Sequence, residues 1–277
     1  MKNRKTKLLV IINLFLSIII ISLVLLPVIW SVSFSFKPKN EQFITPTTFF
    51  SNNYTLENYK DALYPEFIRY IINSVIVSFG AALITLVISI FSAYAFSRLK
   101  FYGRRSLLVV IILSQLIPIT AIIIPIYQLL KSLSLINTYF GLMLSYLSFT
   151  VPVSIWMLKG FFDNISTDIE EAALIDGCTK LSAFIRIVIP ISKPGIAATV
   201  IWSVIATWQE VIYALAIITS KHMRTISVGI LDFIGQWVID FGTLFAGAIV
   251  VSVPIVVFFI FLQRYFVEGL VEGAIKG

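Results

Sequence analysis

The chain has 277 residues, of which 58% are hydrophobic and only 13% are charged, with a formal net charge of +7. Soluble domains average roughly half apolar and about a quarter charged residues, so this chain lacks the polar residues that a water-covered surface requires. A single Cys and a single His exclude an internal disulfide and a Cys/His metal site. The sequence contains no G-x-x-x-x-G-K-[ST] motif and hence no P-loop for ATP. We therefore predict an integral membrane protein.

Six apolar windows have the length of transmembrane helices. A hydrocarbon core about 30 Å thick needs ~20 apolar helical residues. The alternating apolar and polar pattern of barrel strands does not occur, so the predicted fold class is all-α with six transmembrane helices. The windows are residues 8–30, 70–97, 106–130, 132–158, 194–220 and 241–263.

Charge predicts the orientation of these spans. The first window follows the segment 2–7, which contains four basic residues, as in a signal peptide. It is, however, longer than the ~7–15 residues of a signal-peptide core, and it ends in PVIW instead of a small-residue cleavage site. We therefore expect a transmembrane span that is not cleaved off. Most other basic residues lie in segments on the same side as the N-terminus, notably 98–105. The positive-inside rule then places both termini in the cytoplasm. The net positive charge follows from this topology and indicates no nucleic-acid partner.

The first extracytoplasmic segment, residues 37–69, is polar and interrupted by prolines. Residues 55–59 predict the start of a short surface helix capped by Thr55 or Asn53. Two interpretations of the segment remain open, contact with a soluble partner and a solvated loop.

The cytoplasmic connection between residues 159 and 193 has the clearest local pattern. Thr167 and Glu170 have the spacing of a capping box at the start of a short helix. Gly177 permits a left-handed stop, and a second helix with apolar residues at helical spacing should end at Pro190 and Pro194. The pattern predicts two helices at the inner membrane face, with alanines on an accessible side. They form either a docking element for a cytoplasmic partner or an amphipathic interfacial loop.

These same residues resemble a known family. Residues 171–177, EAALIDG, followed by Phe184, Pro190 and Pro194, are similar to the EAA loop in membrane subunits of binding-protein-dependent ABC importers. Residues 208–210 and 269–277 resemble the carbohydrate branch, the maltose-transporter type with the second, shorter permease. The resemblance covers roughly residues 70–277, and it departs from the usual pattern in having Cys178 after the glycine, Ile189 before the proline, Ser134 where Gly is frequent and Gln209 in the fifth span.

The resemblance implies a type I ABC importer permease fold with three regions. Residues 1–36 would form the N-terminal tail and first helix, 37–69 an extracytoplasmic loop, and 70–277 the permease domain, with a coupling loop at about 160–193 and a C-terminal tail at 264–277. The first helix of the loop would seat in a groove on an ATPase subunit. Glu171 would pair with a basic group there, Asp176 would brace the turn and Gly177 would set the bend. The coupling residues so implied are Glu170, Glu171, Ala172, Ala173, Asp176, Gly177 and Pro190.

The resemblance also implies the partners. They are two ATP-binding subunits, a second homologous permease subunit and an extracytoplasmic solute-binding protein, in a lipid membrane. ATP would be bound by the separate ATPase subunits, and this chain would need no cofactor.

Glu210 is the one charged residue inside the six windows. A charge at mid-membrane costs about 2.5–3.5 kcal/mol on insertion scales, so Glu210 should face the bundle interior or a wet cavity. Two interpretations remain open, contact with the solute and a structural brace bonded to a neighbouring subunit or to a hydroxyl such as that of Thr207. The pathway candidates are Gln115, Trp208, Gln209 and Glu210.

The function predicted is a pore-forming permease subunit of an ATP-driven sugar importer, without catalytic residues. Alternatives within the class are permeases for a glycerol phosphate or a polyamine. A stand-alone secondary transporter usually has more spans and more intramembrane ionisable groups. A membrane enzyme would need acids, His or Cys clustered at one depth, and no such cluster is evident in the sequence.

Overall fold

The computed structural model describes residues 2–42, 48–51, 53–234 and 240–275, which are mostly helical. The chain divides into two units, one comprising residues 1–65 and 230–252, the other 66–229 and 253–277. The helices, in chain order, are α1 (Lys2–Ser35), α2 (Glu57–Ala62), α3 (Pro65–Arg98), α4 (Arg104–Leu113), α5 (Ile119–Ser132), α6 (Tyr139–Asp163), α7 (Thr167–Ile175), α8 (Lys180–Ala183), α9 (Ile189–Ile191), α10 (Lys193–Trp208), α11 (Ile212–Ile217), α12 (Ile226–Gly229) and α13 (Phe241–Ile275).

The all-α prediction is confirmed, while the number of crossings is four to six. Among the described residues, α1, α3, α6 and α13 are each long and apolar enough to cross a membrane. The helix pair 104–116 and 119–132 is bent by 104°, and the pair 180–191 and 193–208 by 74°. Counting each bent pair as one span gives up to six crossings.

Three predicted windows differ from the helices in detail. The window 106–130 is broken before Pro118, which has no N–H to continue a helix. The window 132–158 starts too early, because a turn with positive φ at Ser134 and Asn137 precedes α6. The window 194–220 is broken after Trp208, where α10 ends. Length and hydropathy place a span but cannot detect a break inside it.

Small residues bring α3 and α6 together within the larger unit. The buried face of α3 includes Ser78, Ala81 and Thr85, and the Thr85 and Thr150 hydroxyls lie 2.7 Å apart. Small residues permit close helix approach in membranes. Two apolar clusters flank this contact. One contains Val77, Leu142, Tyr146 and Tyr213, and the other contains Ala93, Leu158, Phe162, Phe184 and Val188.

The smaller unit is organised around the end of α1. The Trp30 and Phe34 rings pack on Phe245, with centroids 5.5 and 5.3 Å away. Asn58 on α2 donates hydrogen bonds of 2.8 Å to the carbonyls of Ser35 and Lys37. The chain leaving α1 is thereby tied to α2.

The predicted short helix is observed as α2, which begins at Glu57, but its N-cap is Leu56 and no side chain caps it, so the predicted cap by Thr55 or Asn53 is wrong. The Thr55 hydroxyl accepts the Glu57 amide at 3.2 Å from the residue before the cap position. At the other end of the chain, α13 continues through residues 264–275 of the predicted tail. Residues 276 and 277 of that tail lie outside the described residues.

Candidate functional site: the α7 loop and the α10–α11 break

The helix α7 begins with a different cap from the one predicted. Ser166 is the capping residue, and its hydroxyl accepts the Asp168 amide at 3.2 Å. Thr167 is the first helical residue, and the Glu170 carboxylate bonds to side chains of α3 instead of returning to the Thr167 amide. The capping-box prediction is therefore wrong, because a cationic partner on another helix competes for the same carboxylate.

That partner is Arg98, the last residue of α3. Arg98 Nε donates to Glu170 Oε1 at 2.5 Å, and the Tyr94 hydroxyl donates to Oε2 at 2.8 Å. Arg98 Nη2 also donates to the Ile165 carbonyl at 2.9 Å. Because only 8% of Glu170 is exposed, the pair lies in a low-dielectric setting in which each charge needs the other. Sequence reasoning assigned no such role to Arg98, although Tyr94 and Arg98 have the i, i+4 spacing of one helix face.

The outer face of α7 has a different character. Glu171, Ala172 and Asp176 are exposed, whereas Ala173 is buried, so only one of the two predicted alanines is accessible. Gly177 has a φ of 91°, the left-handed conformation predicted for it. Adjacent glutamates thus have opposite surroundings, since Glu170 faces α3 and Glu171 faces outward.

The second part of the loop forms one continuous helical segment. α8 continues through a π-helical turn (Phe184–Val188) into α9. The Phe184 ring lies 4.2 Å from the Tyr94 ring, centroid to centroid. Pro190 is exposed and lies inside α9, so it does not end the segment as predicted. The 74° bend follows at Ser192, and Pro194 lies in the first turn of α10.

Glu210 lies in the break between α10 and α11. Its carboxylate oxygens accept the backbone N–H groups of Tyr213 at 2.8 Å and Ala214 at 3.2 Å. The Ser227 hydroxyl donates to the Glu210 carbonyl at 2.6 Å. A carboxylate on the free amides of a helix start satisfies donors that have no intrahelical partner. The arrangement can therefore stabilise the break between α10 and α11.

The residues next to Glu210 differ in exposure and in hydrogen bonding. Trp208 is only 5% exposed, whereas Gln209 is exposed. The Thr207 hydroxyl donates to the Ser203 carbonyl at 2.8 Å and does not bond to Glu210. Of the three consecutive residues 208–210, Trp208 and Glu210 are buried and Gln209 is exposed.

Gln115 lies at the bend between α4 and α5. Its amide donates to the Ser148 carbonyl at 3.3 Å. A cavity of about 250 Å³ opens here, and Trp208, Gln209 and Glu210 are not among its lining residues. The lining includes Gln115, Pro118, Ser148, Phe149 and Tyr213, a mixture of polar groups and aromatic rings suited to a polar organic molecule.

Comparison with known proteins is consistent with this architecture. The chain is 34% identical over 251 residues to the probable ABC transporter permease protein YurM of Bacillus subtilis, covering 91% of this chain and 83% of that protein. It is 33% identical to the trehalose transport system permease protein SugB of Mycobacterium tuberculosis, covering 95% and 96% of the two chains. The trehalose/maltose transport system permease protein MalG of Thermococcus litoralis is 32% identical, with 91% and 92% covered.

The fold is also found in a solved structure. A chain from the crystal structure of a bacterial ABC transporter involved in the import of the acidic polysaccharide alginate superposes with a TM-score of 0.79. The match covers 95% of this chain and 98% of that one at 20% identity, and it establishes the fold. The family model of the binding-protein-dependent transport system inner membrane component matches residues 85–271. The chain is therefore a multi-pass membrane protein that belongs to the family of inner membrane components of binding-protein-dependent transport systems.

Proposed function

We propose that this chain is a pore-forming permease subunit of an ATP-driven importer for a sugar or oligosaccharide. The relatives support the solute class, because their names specify trehalose, trehalose/maltose and diacetylchitobiose transport. In this proposal both termini are cytoplasmic, the membrane is the bacterial plasma membrane, and the chain itself catalyses no reaction.

The partners are two ATP-binding subunits, a second permease subunit and an external solute-binding protein. The observation that supports ATPase docking is the contrast at the start of α7, where Glu170 is ion-paired inside the bundle and Glu171 is exposed. Glu170 holds the helix to α3, and Glu171, Ala172 and Asp176 present its outer face to the ATPase. Gly177 provides the turn, while Ala173 and Pro190 keep the loop's shape.

For the translocation pathway we propose separate roles for the predicted residues. Gln115 and the cavity at the α4–α5 bend contact the solute, since they combine an amide with aromatic rings. Gln209 is exposed and able to join them in the assembled transporter. Trp208 packs within the bundle, and Glu210 is a structural brace for α11.

The test is ATP-driven uptake by the full complex in proteoliposomes. Glu171→Arg should weaken ATPase association by about 3 kcal/mol, roughly 100-fold, because it replaces an attractive charge with a repulsive one at an interface. Asp168→Arg is the matched control, because it makes the same charge reversal at another exposed carboxylate of the same helix.

The docking proposal requires that Glu171→Arg lose uptake and ATPase stimulation together while the membrane chain stays folded. Unchanged ATPase association in Glu171→Arg would contradict it. The solute class is tested separately by titrating disaccharides against the binding protein and then measuring uptake of those that bind. Uptake without nucleotide and without partner chains would reject the whole proposal.

A further inference from the structure

A basic cavity of about 910 Å³ lies where α3 turns into α4. None of the described residues that line it is acidic. Two exposed aromatic side chains, Phe101 and Tyr102, also line it. The cations in its lining are Lys100, Arg104, Arg105 and Lys159.

Three of these four cations form no ion pair within the described part of the chain, although Arg104 lies near enough to the Asp163 carboxylate to attract it. Lys159 pairs with Asp163 at 2.5 Å. Lys100, Arg104 and Arg105 form no ion pair with any other residue that the structure describes. Arg104 Nη1 donates to the Leu99 carbonyl at 3.3 Å and has further donors to offer. The cavity therefore holds excess cationic donors suited to a phosphate group.

An apolar groove of about 470 Å³ adjoins the basic cavity and shares Leu108 and Lys159 with it. It lies between α4 and α6, where Trp156 is 60% exposed. At Gly160 a Cβ would meet no described atom within 4 Å beyond its chain neighbours and its own helix backbone, so the groove is open there. Ile112 lies one helical turn beyond Leu108, about 6 Å further from the basic cavity along α4. A hydrocarbon chain that starts at the basic cavity can therefore lie along the groove beside α4.

We propose that the basic cavity and the apolar groove together bind one anionic phospholipid. The phosphodiester head group contacts Lys100, Arg104 and Arg105, and an acyl chain lies against Leu108 and Trp156. The location supports a lipid, because the cavity lies at the end of two apolar helices and Tyr102 stands beside it, as aromatic residues do at membrane interfaces. Basic pockets between membrane helices are typical sites for anionic head groups. In the orientation proposed above, the lipid belongs to the cytoplasmic leaflet.

The proposal is tested by native mass spectrometry of the full complex, purified in detergent and titrated with phosphatidylglycerol or phosphatidylcholine of identical acyl chains. The wild type should bind phosphatidylglycerol more tightly. The double variant Arg104→Gln, Arg105→Gln should lose about 25-fold in phosphatidylglycerol affinity, at about fivefold for each cation. The charge-conserving variant Arg104→Lys, Arg105→Lys should lose far less. Lys131→Gln removes an exposed lysine at the end of α5 and should change nothing.

A second set of measurements separates the head group from the acyl chain. Trp156→Ala should weaken both lipids alike and leave the preference for phosphatidylglycerol intact. Glycerophosphoglycerol, which has the head group and no acyl chains, should compete poorly. If the double glutamine variant does not assemble, Arg105→Gln alone gives the same comparison with a fivefold expectation.

Three results would overturn the proposal. One is equal affinity of the wild type for the two lipids. Another is unchanged phosphatidylglycerol affinity in the glutamine variants. The third is cross-linking from position 102 to an acidic segment of another subunit in place of lipid, which would make the cavity a protein interface.

Discussion

Glu170 and Glu210 are buried to a similar degree, with 8% and 9% of each residue exposed, yet they are satisfied in different ways. Glu170 meets the full positive charge of Arg98, a residue of another helix. Glu210 accepts backbone amides three and four residues further along its own chain. The first carboxylate joins two separate helices, whereas the second organises the start of one short helix.

This difference indicates which part of the structure changes when each glutamate is substituted. A change at Glu170 alters the attachment of α7 to α3 and therefore the position of the exposed Glu171. A change at Glu210 alters the break between α10 and α11. The comparison predicts a large penalty for leaving one member of the ion pair unpaired and a smaller penalty for losing a helix cap.

Arg98→Gln should give the largest effect. It leaves the Glu170 carboxylate buried without its counter-charge. We expect a loss of about 3 kcal/mol in the free energy of unfolding. This is the lower end of the range for buried ion pairs, because both side chains are still 11% exposed. Denaturant unfolding of the purified protein measures this loss.

The matching double variant Arg98→Gln, Glu170→Gln sharpens the comparison. It removes both charges, so it should be more stable than Arg98→Gln alone. A double variant as unstable as the sum of the two single variants would mean that the ion pair contributes nothing beyond its separate residues.

Glu210→Ala should rank next. It removes the acceptor for the Tyr213 and Ala214 amides, and we expect a loss of about 2 kcal/mol, with Glu210→Gln losing about 1 kcal/mol. Unfolding and sugar uptake should be measured together. If Glu210→Gln keeps its stability but loses uptake, the carboxylate contacts the solute and the brace assignment fails.

Gly177→Ala should cost about 1 kcal/mol, because φ is 91° and an L-residue is strained there. Apart from its chain neighbours, no described atom lies within 4 Å of the added Cβ, so the expected loss comes from the backbone conformation. Gly160→Ala in α6 is the control and should stabilise by about 0.5–1 kcal/mol, because alanine favours a helix interior. Similar shifts of the unfolding midpoint in both variants would refute the role of φ.

The smallest effect should come from an exposed cluster in the unit of residues 1–65 and 230–252. Lys39 lies 2.7 Å from Asp61 and 3.5 Å from Asp240. Partial burial raises the pKa of the Asp240 carboxyl, but hydrogen bonds from Thr243 and the charge of Lys39 outweigh it, so its pKa lies below the ordinary 3.8. The hydrogen bond to Asp61 raises the pKa of Lys39 above 10.5.

These directions set the expected pH dependence. Because the folded pKa of Asp240 is depressed, its contribution is complete above pH 3.8 and is lost as the pH falls through the folded value. Because the folded pKa of Lys39 is raised, its contribution is complete below pH 10.5 and is lost as the pH rises further. Lys39→Gln should cost less than about 1 kcal/mol, as exposed pairs do. If Lys39→Gln lost as much free energy of unfolding as Arg98→Gln, the difference in exposure would not explain the difference in strength between these two ion pairs.

Local patterns predicted some features correctly and failed where a distant residue intervened. The left-handed Gly177 and the helix after Thr55 depend only on neighbours in the chain, and both are observed. The capping box of Thr167 and Glu170 is also a local pattern, and it does not form because the Glu170 carboxylate is bonded to Arg98 and Tyr94 of another helix. The pairing of Glu210 with amides of the following helix is local, but nothing in an apolar window indicated that the helix would break there.

The sequence by itself determined that the protein resides in a lipid membrane, that it is helical and which family it belongs to. The length of each apolar window must match the thickness of the membrane's hydrocarbon core. The EAALIDG segment is specific enough to identify the family. Only the tertiary structure decided which glutamate is inside, which alanine is accessible and which cations share a cavity. Those outcomes depend on where α3, α4 and α6 place their side chains relative to the α7 loop and to one another, and helical periodicity contains no information about which helices meet.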